Sequence, residues 1–212
     1  MAFNKTFLHP SDKTTMVEFN GNTKLKLPYK CFADTGYLDK IVYGNSIESI
    51  DIGSYAFSDT GINNLEFTGK NVNISMSGLA NLVNTKTVTF NNTENTCLGS
   101  VFGTDEGSGF SSVKEVIINS KTVDLGGFER SKDKINLVLG NKVSLFSWEP
   151  SKQEYKVDGI ANVYITNCDT DITLGTHMPN GDYIVYGYPN TRYKEYIDAL
   201  ASKVKWEKYV TE

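Results

Sequence analysis

The 212-residue chain has few of the residues on which most site chemistry depends: two histidines, three cysteines and five prolines. His9 and His177 stand near opposite ends of the sequence, which predicts that they share neither a metal ion nor a proton. Cys31, Cys97 and Cys168 leave one thiol unpaired in any pairing. No C-x-x-C pair, Walker loop, G-x-S-x-G elbow or H-E-x-x-H motif occurs. The glycine-rich "FGTDEGSGF" (102–110) is followed by no lysine at a helix start, so it reads as a loop extension and not as a phosphate cradle. Its Asp105–Glu106 pair would attract a cation only weakly.

A basic stripe is missing too. With 21 basic and 25 acidic residues the formal net charge is −4, which argues against the counterion release that drives nucleic-acid binding. Lys203, Lys205 and Lys208 are interleaved with Glu207 and Glu212 and read as a solvated helix end. No stretch approaches the ~20 apolar residues of a membrane-spanning helix, so no membrane insertion is expected. The opening "MAFNKTFLHPSDKTTM" has no apolar core of a signal peptide. Two locations follow as expectations: extracellular or cell-surface if a leader has been removed, otherwise virion-associated.

What is present is a core and a repeat. Hydrophobic residues make up 39% and aromatics 12% of the chain, enough for one sizeable core. "CFADTGYLDKIVY" and "AFSDTGINNLEF" align from Phe32 to Tyr43 and from Phe57 to Phe67 with a one-residue gap. The short strand pattern that ends each unit recurs as "IVY" (41–43), "LEF" (65–67), "VTF" (88–90), "VII" (116–118), "INLVL" (135–139), "VYI" (163–165) and "IVY" (184–186). A second alternation follows most of them: "IDI" (50–52), "VNI" (72–74), "VDL" (123–125), "VSL" (143–145) and "ITL" (172–174). Period-two alternation marks half-buried strands, and the intervening Gly, Asn and Asp supply turns. A unit of roughly two dozen residues cannot bury its own apolar face, but stacked units can. The pattern predicts a mainly β, parallel-β solenoid of about seven coils, with strands about 4.8 Å apart from coil to coil.

Within this pattern "SIDIGSYAFSDTGINNLEF" resembles the BspA-like (Treponema pallidum-type) leucine-rich repeat. The C-terminal "YIVYGYPNTRYKEYIDALASKVKW" is similar to that family's closing cap: a strand, a turn, a short helix and a last strand. The middle repeats keep the strand pattern without the Ala-Phe signature, and the Asn ladder usual in plant and ribonuclease-inhibitor repeats is not present. The expected organisation is an N-terminal segment and opening coil over 1–24, with strands at "MVEF" and "KLKL", a leucine-rich-repeat solenoid over 25–188 and a cap over 189–212. Tyr193, Tyr196, Ile197, Leu200 and Val204 have the spacing of one apolar helix face, capped by Asn190 or Thr191. The start "FNKTFLHP" could form an arm reaching a neighbour.

The two Asp-Thr-Gly tripeptides raise the question of an aspartic-protease dyad. Ala33 and Ser58 precede the acids where such enzymes carry apolar strand residues, and the repeat places Asp34 and Asp59 on the same turn of adjacent coils. The carboxylates could lie within about 5 Å, near enough to form a weak metal-binding pair. The ordinary reading is that each Asp accepts turn N–H bonds while Gly takes positive φ. Coil counting separates the cysteines by ~14 Å or more, beyond disulfide reach. Three free thiols, no cofactor and no enzymatic activity are therefore expected, with Cys31 in the core.

Strand parity selects an outward row. If Ile41/Tyr43, Leu65/Phe67, Val88/Phe90, Val116/Ile118, Val163/Ile165 and Ile184/Tyr186 face the core, then Val42, Glu66, Thr89, Ile117, Val138, Tyr164 and Val185 face solvent, beside Tyr183. Such a row is either good strand chemistry or a contact surface. The family resemblance implies non-enzymatic adhesion, binding a protein or glycan on a cell surface through the sheet face and loops. The alternative expectation is a phage virion-associated structural or host-receptor-recognition protein whose partners are neighbouring subunits.

Overall fold

The computed structural model describes residues 13–21, 24–44, 46–101, 111–127, 134–148, 159–174, 183–187 and 204–207. Every strand pair in it is parallel. One seven-stranded sheet contains β2 (Lys24–Leu27), β4 (Ser49–Ile52), β6 (Asn71–Ile74), β8 (Asn95–Ser100), β10 (Thr122–Gly127), β12 (Leu145–Trp148) and β14 (Asp171–Leu174), in that spatial order. A second contains β5 (Asn64–Phe67), β7 (Thr87–Phe90), β9 (Glu115–Ile118), β11 (Ile135–Leu139), β13 (Ile160–Ile165), β15 (Tyr183–Tyr186) and β16 (Val204–Glu207). β1 (Met16–Phe19) and β3 (Lys40–Tyr43) form a separate two-stranded ribbon.

The molecule is thus a parallel β solenoid, and about five turns place one strand in each long sheet. This is fewer than the seven coils expected, because the ends are built differently. β1 and β3 pair only with each other, and β15 and β16 both join the second sheet. No helix occurs among the described residues. The expected cap helix falls on 188–203, outside the described residues, except that Val204 opens β16 and does not continue a helical face.

Alternation explains the elements. In β3, β5, β7, β9 and β13 the residues expected to face inward are buried, from Ile41 and Tyr43 to Val163 and Ile165. Leu27, Ile52, Ile74, Leu98 and Leu125 close the core from the first sheet. An aromatic file runs along the axis: Phe32 stacks on Phe57 at 5.8 Å, and Phe67 lies 5.7 Å from Tyr43 and 5.2 Å from Phe90.

Two strands of the first sheet differ from the reading of the sequence. "VSL" (143–145) is shifted: Val143 is buried ahead of the strand, Leu145 is exposed and Phe146 fills the core. β8 has no counterpart in the sequence pattern because a threonine holds a core position. Thr96 is fully buried and satisfied, its hydroxyl lying 2.9 Å from Asn92 Oδ1 and 2.8 Å from Ser120 Oγ.

Candidate interaction surface

The Asp-Thr-Gly turns follow β2 and β4, and both are stitched to the next coil. Asp34 N donates to Ser58 O at 2.9 Å, and Asp59 N to Asn81 O at 3.1 Å. Each turn uses two left-handed residues four positions apart: Lys30 and Asp34, Tyr55 and Asp59, then Ser77 and Asn81. The third pair lies in "SGLAN", a repeat of the same turn without its sequence signature. Here the expectation is corrected. The aspartates themselves take positive φ, 60° and 54°, while Gly36 and Gly61 do not. Asp and Asn tolerate this region better than other non-glycine residues. Gly61 is needed for close approach, because a Cβ there would run into the carbonyl oxygen of Gly36.

Asp34 is exposed and Asp59 half-buried. Asp59 Oδ2 accepts from Asn81 Nδ2 and, at 3.2 Å, from Ser58 Oγ. These partners are side chains, not the turn N–H groups expected. Among the described residues no group of three or more His, Cys, Asp or Glu is placed to hold a metal ion. Cys31, Cys97 and Cys168 are free thiols, buried, half-buried and exposed in turn. His9, the "FNKTFLHP" arm, Asp105, Glu106 and His177 lie outside the described residues.

The outward row of the second sheet is continuous in register. Glu66 pairs with Thr89, Thr89 with Ile117, Ile117 with Val138, Val138 with Tyr164 and Tyr164 with Tyr186. Val42 is half-buried on the separate ribbon, opposite Glu18. Val185 does not belong to this row. It pairs with Val163, is 2% exposed and lies in the core, whereas Ile184 and Tyr186 are only half-buried. The parity of β15 is therefore opposite to the one expected. "DYIVYG" is apolar at successive positions, so its own alternation carries no phase, and pairing with β13 sets it. Tyr183 pairs with Val204, and its side chain lies outside the description.

Four neighbours, Ile117, Val138, Tyr164 and Tyr186, thus form an uninterrupted apolar and aromatic strip, all half-buried. The rings of Tyr164 and Tyr186 stack at 4.7 Å and 18°, so each covers one face of the other. Polar pairs rim the strip. Asn162 Nδ2 donates to Asn136 Oδ1 at 2.8 Å on one side, and on the other Asn119 Nδ2 donates to Asn91 Oδ1 at 2.7 Å. Asn91 Nδ2 in turn reaches Glu66 Oε1 at 2.6 Å, engaging that carboxylate within the sheet. Beyond β15 the sheet continues with β16, whose Glu207 is in register with Tyr186.

The first sheet's outward row runs Lys26, Asp51, Asn73, Cys97, Asp124, Ser147 and Thr173, polar but for one thiol. One fold therefore presents two unlike faces, and only the second sheet carries contiguous large apolar groups. The sequence pattern missed Tyr186 as a surface residue and Cys97, Asp124 and Ser147 as one row, because β8 was hidden and β12 out of phase.

No protein-family model matches the chain, and no curated protein or solved structure matches it significantly.

Proposed function

We propose that the protein is a non-enzymatic binding module of the BspA-like repeat kind that engages a protein on a cell surface through the outer face of the second sheet. The observation that carries this reading is the strip Ile117–Val138–Tyr164–Tyr186, apolar at four successive coils and rimmed by paired asparagines. Apolar patches with polar rims are the anatomy of protein contact surfaces, and tyrosine is enriched at their centres. A stacked sugar ring would need open aromatic faces. Tyr164 and Tyr186 cover one face of each other, which favours a protein ligand over a glycan. The same strip would serve the second reading, a virion-associated assembly or receptor-recognition protein, if its partner is another copy of this chain.

Two measurements test the proposal. Light scattering over a concentration series should show a monomer, leaving the strip open to a foreign partner. A defined oligomer dissociated by Ile117→Glu would move the reading to the assembly protein. Ile117→Thr together with Val138→Thr preserves β-branching on half-buried positions and should cost no more than ~1 kcal/mol of stability. If the strip is a contact surface, this double variant should lose most surface binding to cells that retain the parent protein. Full retention would mean that the row is strand chemistry alone.

A further inference from the structure

The first sheet's polar face is interrupted by a groove of about 440 Å³ lined by Cys97, Leu98, Gly99, Asp124, Leu125, Gly126 and Ser147. This volume is within the range of roughly 300–1,000 Å³ typical of ligand sites. Two glycines on adjacent strands make its floor, and they are there for different reasons. A Cβ on Gly126 would stand 3.1 Å from Leu98 O and 3.2 Å from Gly99 Cα, so any larger residue there would have to push β8 away by a few tenths of an ångström. A Cβ on Gly99 would meet only Ile74 O at 3.5 Å and Met76 N at 3.9 Å, ordinary contacts, and Gly99 is not at positive φ. Among the described residues nothing requires glycine at 99, and close approach of a ligand or another backbone is one of the reasons a strand interior carries glycine.

Among the described residues that line it, the groove carries one full charge, the exposed carboxylate of Asp124, and no Lys or Arg. Among the described residues that carboxylate makes no ion pair or hydrogen bond. Ser147 stands in register beside it on β12, and Cys97 on β8. We propose that this groove receives a guanidinium group, an arginine side chain of a protein partner lying along the first sheet. The planar fork matches a carboxylate bidentately, and Ser147, about 4.8 Å away by strand spacing, is placed to accept a further N–H bond. The weakly hydrated face of the guanidinium rests on the Cα atoms of the two glycines. An anion would meet unneutralised Asp124. Burial and then the Asp124 charge raise the pKa of the Cys97 thiol, so it reacts slowly with alkylating agents and reports access to the groove. The site is on the opposite sheet from the strip, so it stands independently of the function proposed above.

The test uses N-acetylarginine amide on the whole protein, read by alkylation of Cys97 with exposed Cys168 as internal reference. The arginine derivative should slow labelling of Cys97 severalfold and leave Cys168 unchanged. The neutral isostere N-acetylcitrulline amide should need roughly tenfold higher concentration for the same protection. Asp124→Asn should remove that difference. Gly99→Val should abolish protection while the thermal midpoint stays within about 2 °C. Ser147→Phe, which fills the groove from the other wall, replaces it if the valine variant does not fold. Equal protection by citrulline, protection that survives Asp124→Asn, or none at ~0.1 M arginine derivative would each overturn the assignment.

Discussion

Tyr43 carries its ring into the core, 5.9 Å from Phe19 and 5.7 Å from Phe67, yet its buried hydroxyl has no hydrogen-bond partner among the described residues. Burying an unpaired hydroxyl costs roughly 1–3 kcal/mol. Tyr43→Phe should therefore raise the urea midpoint, by about 1 kcal/mol of stability; a loss would reveal a partner for the hydroxyl. Alkali acts on the same neighbourhood. Burial pushes the Cys31 thiol from its ordinary 9.0 up to about 12, opposed in part by the backbone N–H groups of Cys31 and Phe32. Burial, and then Cys31, hold Tyr43 well above its ordinary 10.0. Both groups keep protons in the folded state that the unfolded chain releases, so the unfolded state binds fewer protons and stability falls as pH rises. The Cys31 contribution is complete below pH 9.0 and is lost progressively toward about 12. Chemical unfolding at stepped pH should show this decline, and Cys31→Ala should flatten it; an unchanged slope would assign it to other groups. The core place of Cys31 was legible beside the Phe32 unit. The unpaired hydroxyl was not, because alternation says which way a side chain points and not what its tip meets.

At the scale of elements, one tripeptide occurs twice and means two things. Gly36 and Gly61 end the same Asp-Thr-Gly turn, and neither has positive φ. A Cβ at Gly36 finds nothing within 4 Å, whereas one at Gly61 strikes backbone of the preceding turn at Gly36 and Leu38. Gly36→Ala should thus be neutral or stabilising by up to about 1 kcal/mol, through lower entropy of the unfolded chain. Gly61→Ala should cost roughly 1–3 kcal/mol, as an overpacked site that only backbone movement relieves. Equal thermal midpoints for the two variants would show that the coils slide apart freely. The repeat was readable wherever a Phe and a small residue flanked the turn. It faded at "SGLAN", where Leu79 replaces the Phe and Asn81-Leu82-Val83 the Asp-Thr-Gly, although the backbone keeps its pair of left-handed residues. β8 escaped because a satisfied threonine holds a core position, β12 was found out of phase, and β15 was found with the wrong parity because its run is apolar on both faces. The candidate strip was legible at Ile117, Val138 and Tyr164, where polar Glu115, Asn136 and Asn162 stand two residues earlier and mark the outward phase, and misread at Val185, which has Tyr183 in that place.

For the whole molecule the decisive property is that strands touch mainly their counterparts in the coils above and below. Stability in such an array is close to a sum of coil and interface terms along one axis. The core is not uniform along that axis. Phe32, Phe57, Tyr43, Phe67 and Phe90 fill the N-terminal half, while Ile118, Leu139 and Ile165 occupy the matching places further on. Phe67 joins the two aromatic files, 6.0 Å from Phe57 and 5.2 Å from Phe90. Phe67→Ala should cost about 3–5 kcal/mol, and the one-dimensional contact pattern says where. Amide exchange should accelerate most in β3, β5 and β7, whose coils share the lost ring, and least in β13 and β15, several coils away. Uniform acceleration would mean that the solenoid opens as a single unit, with the weak and strong halves bound into one transition. A graded profile would mean that the C-terminal half, whose core is aliphatic but for Phe146 and which carries both the strip and the groove, stays folded while the aromatic half frays, so that the binding faces survive damage at the other end.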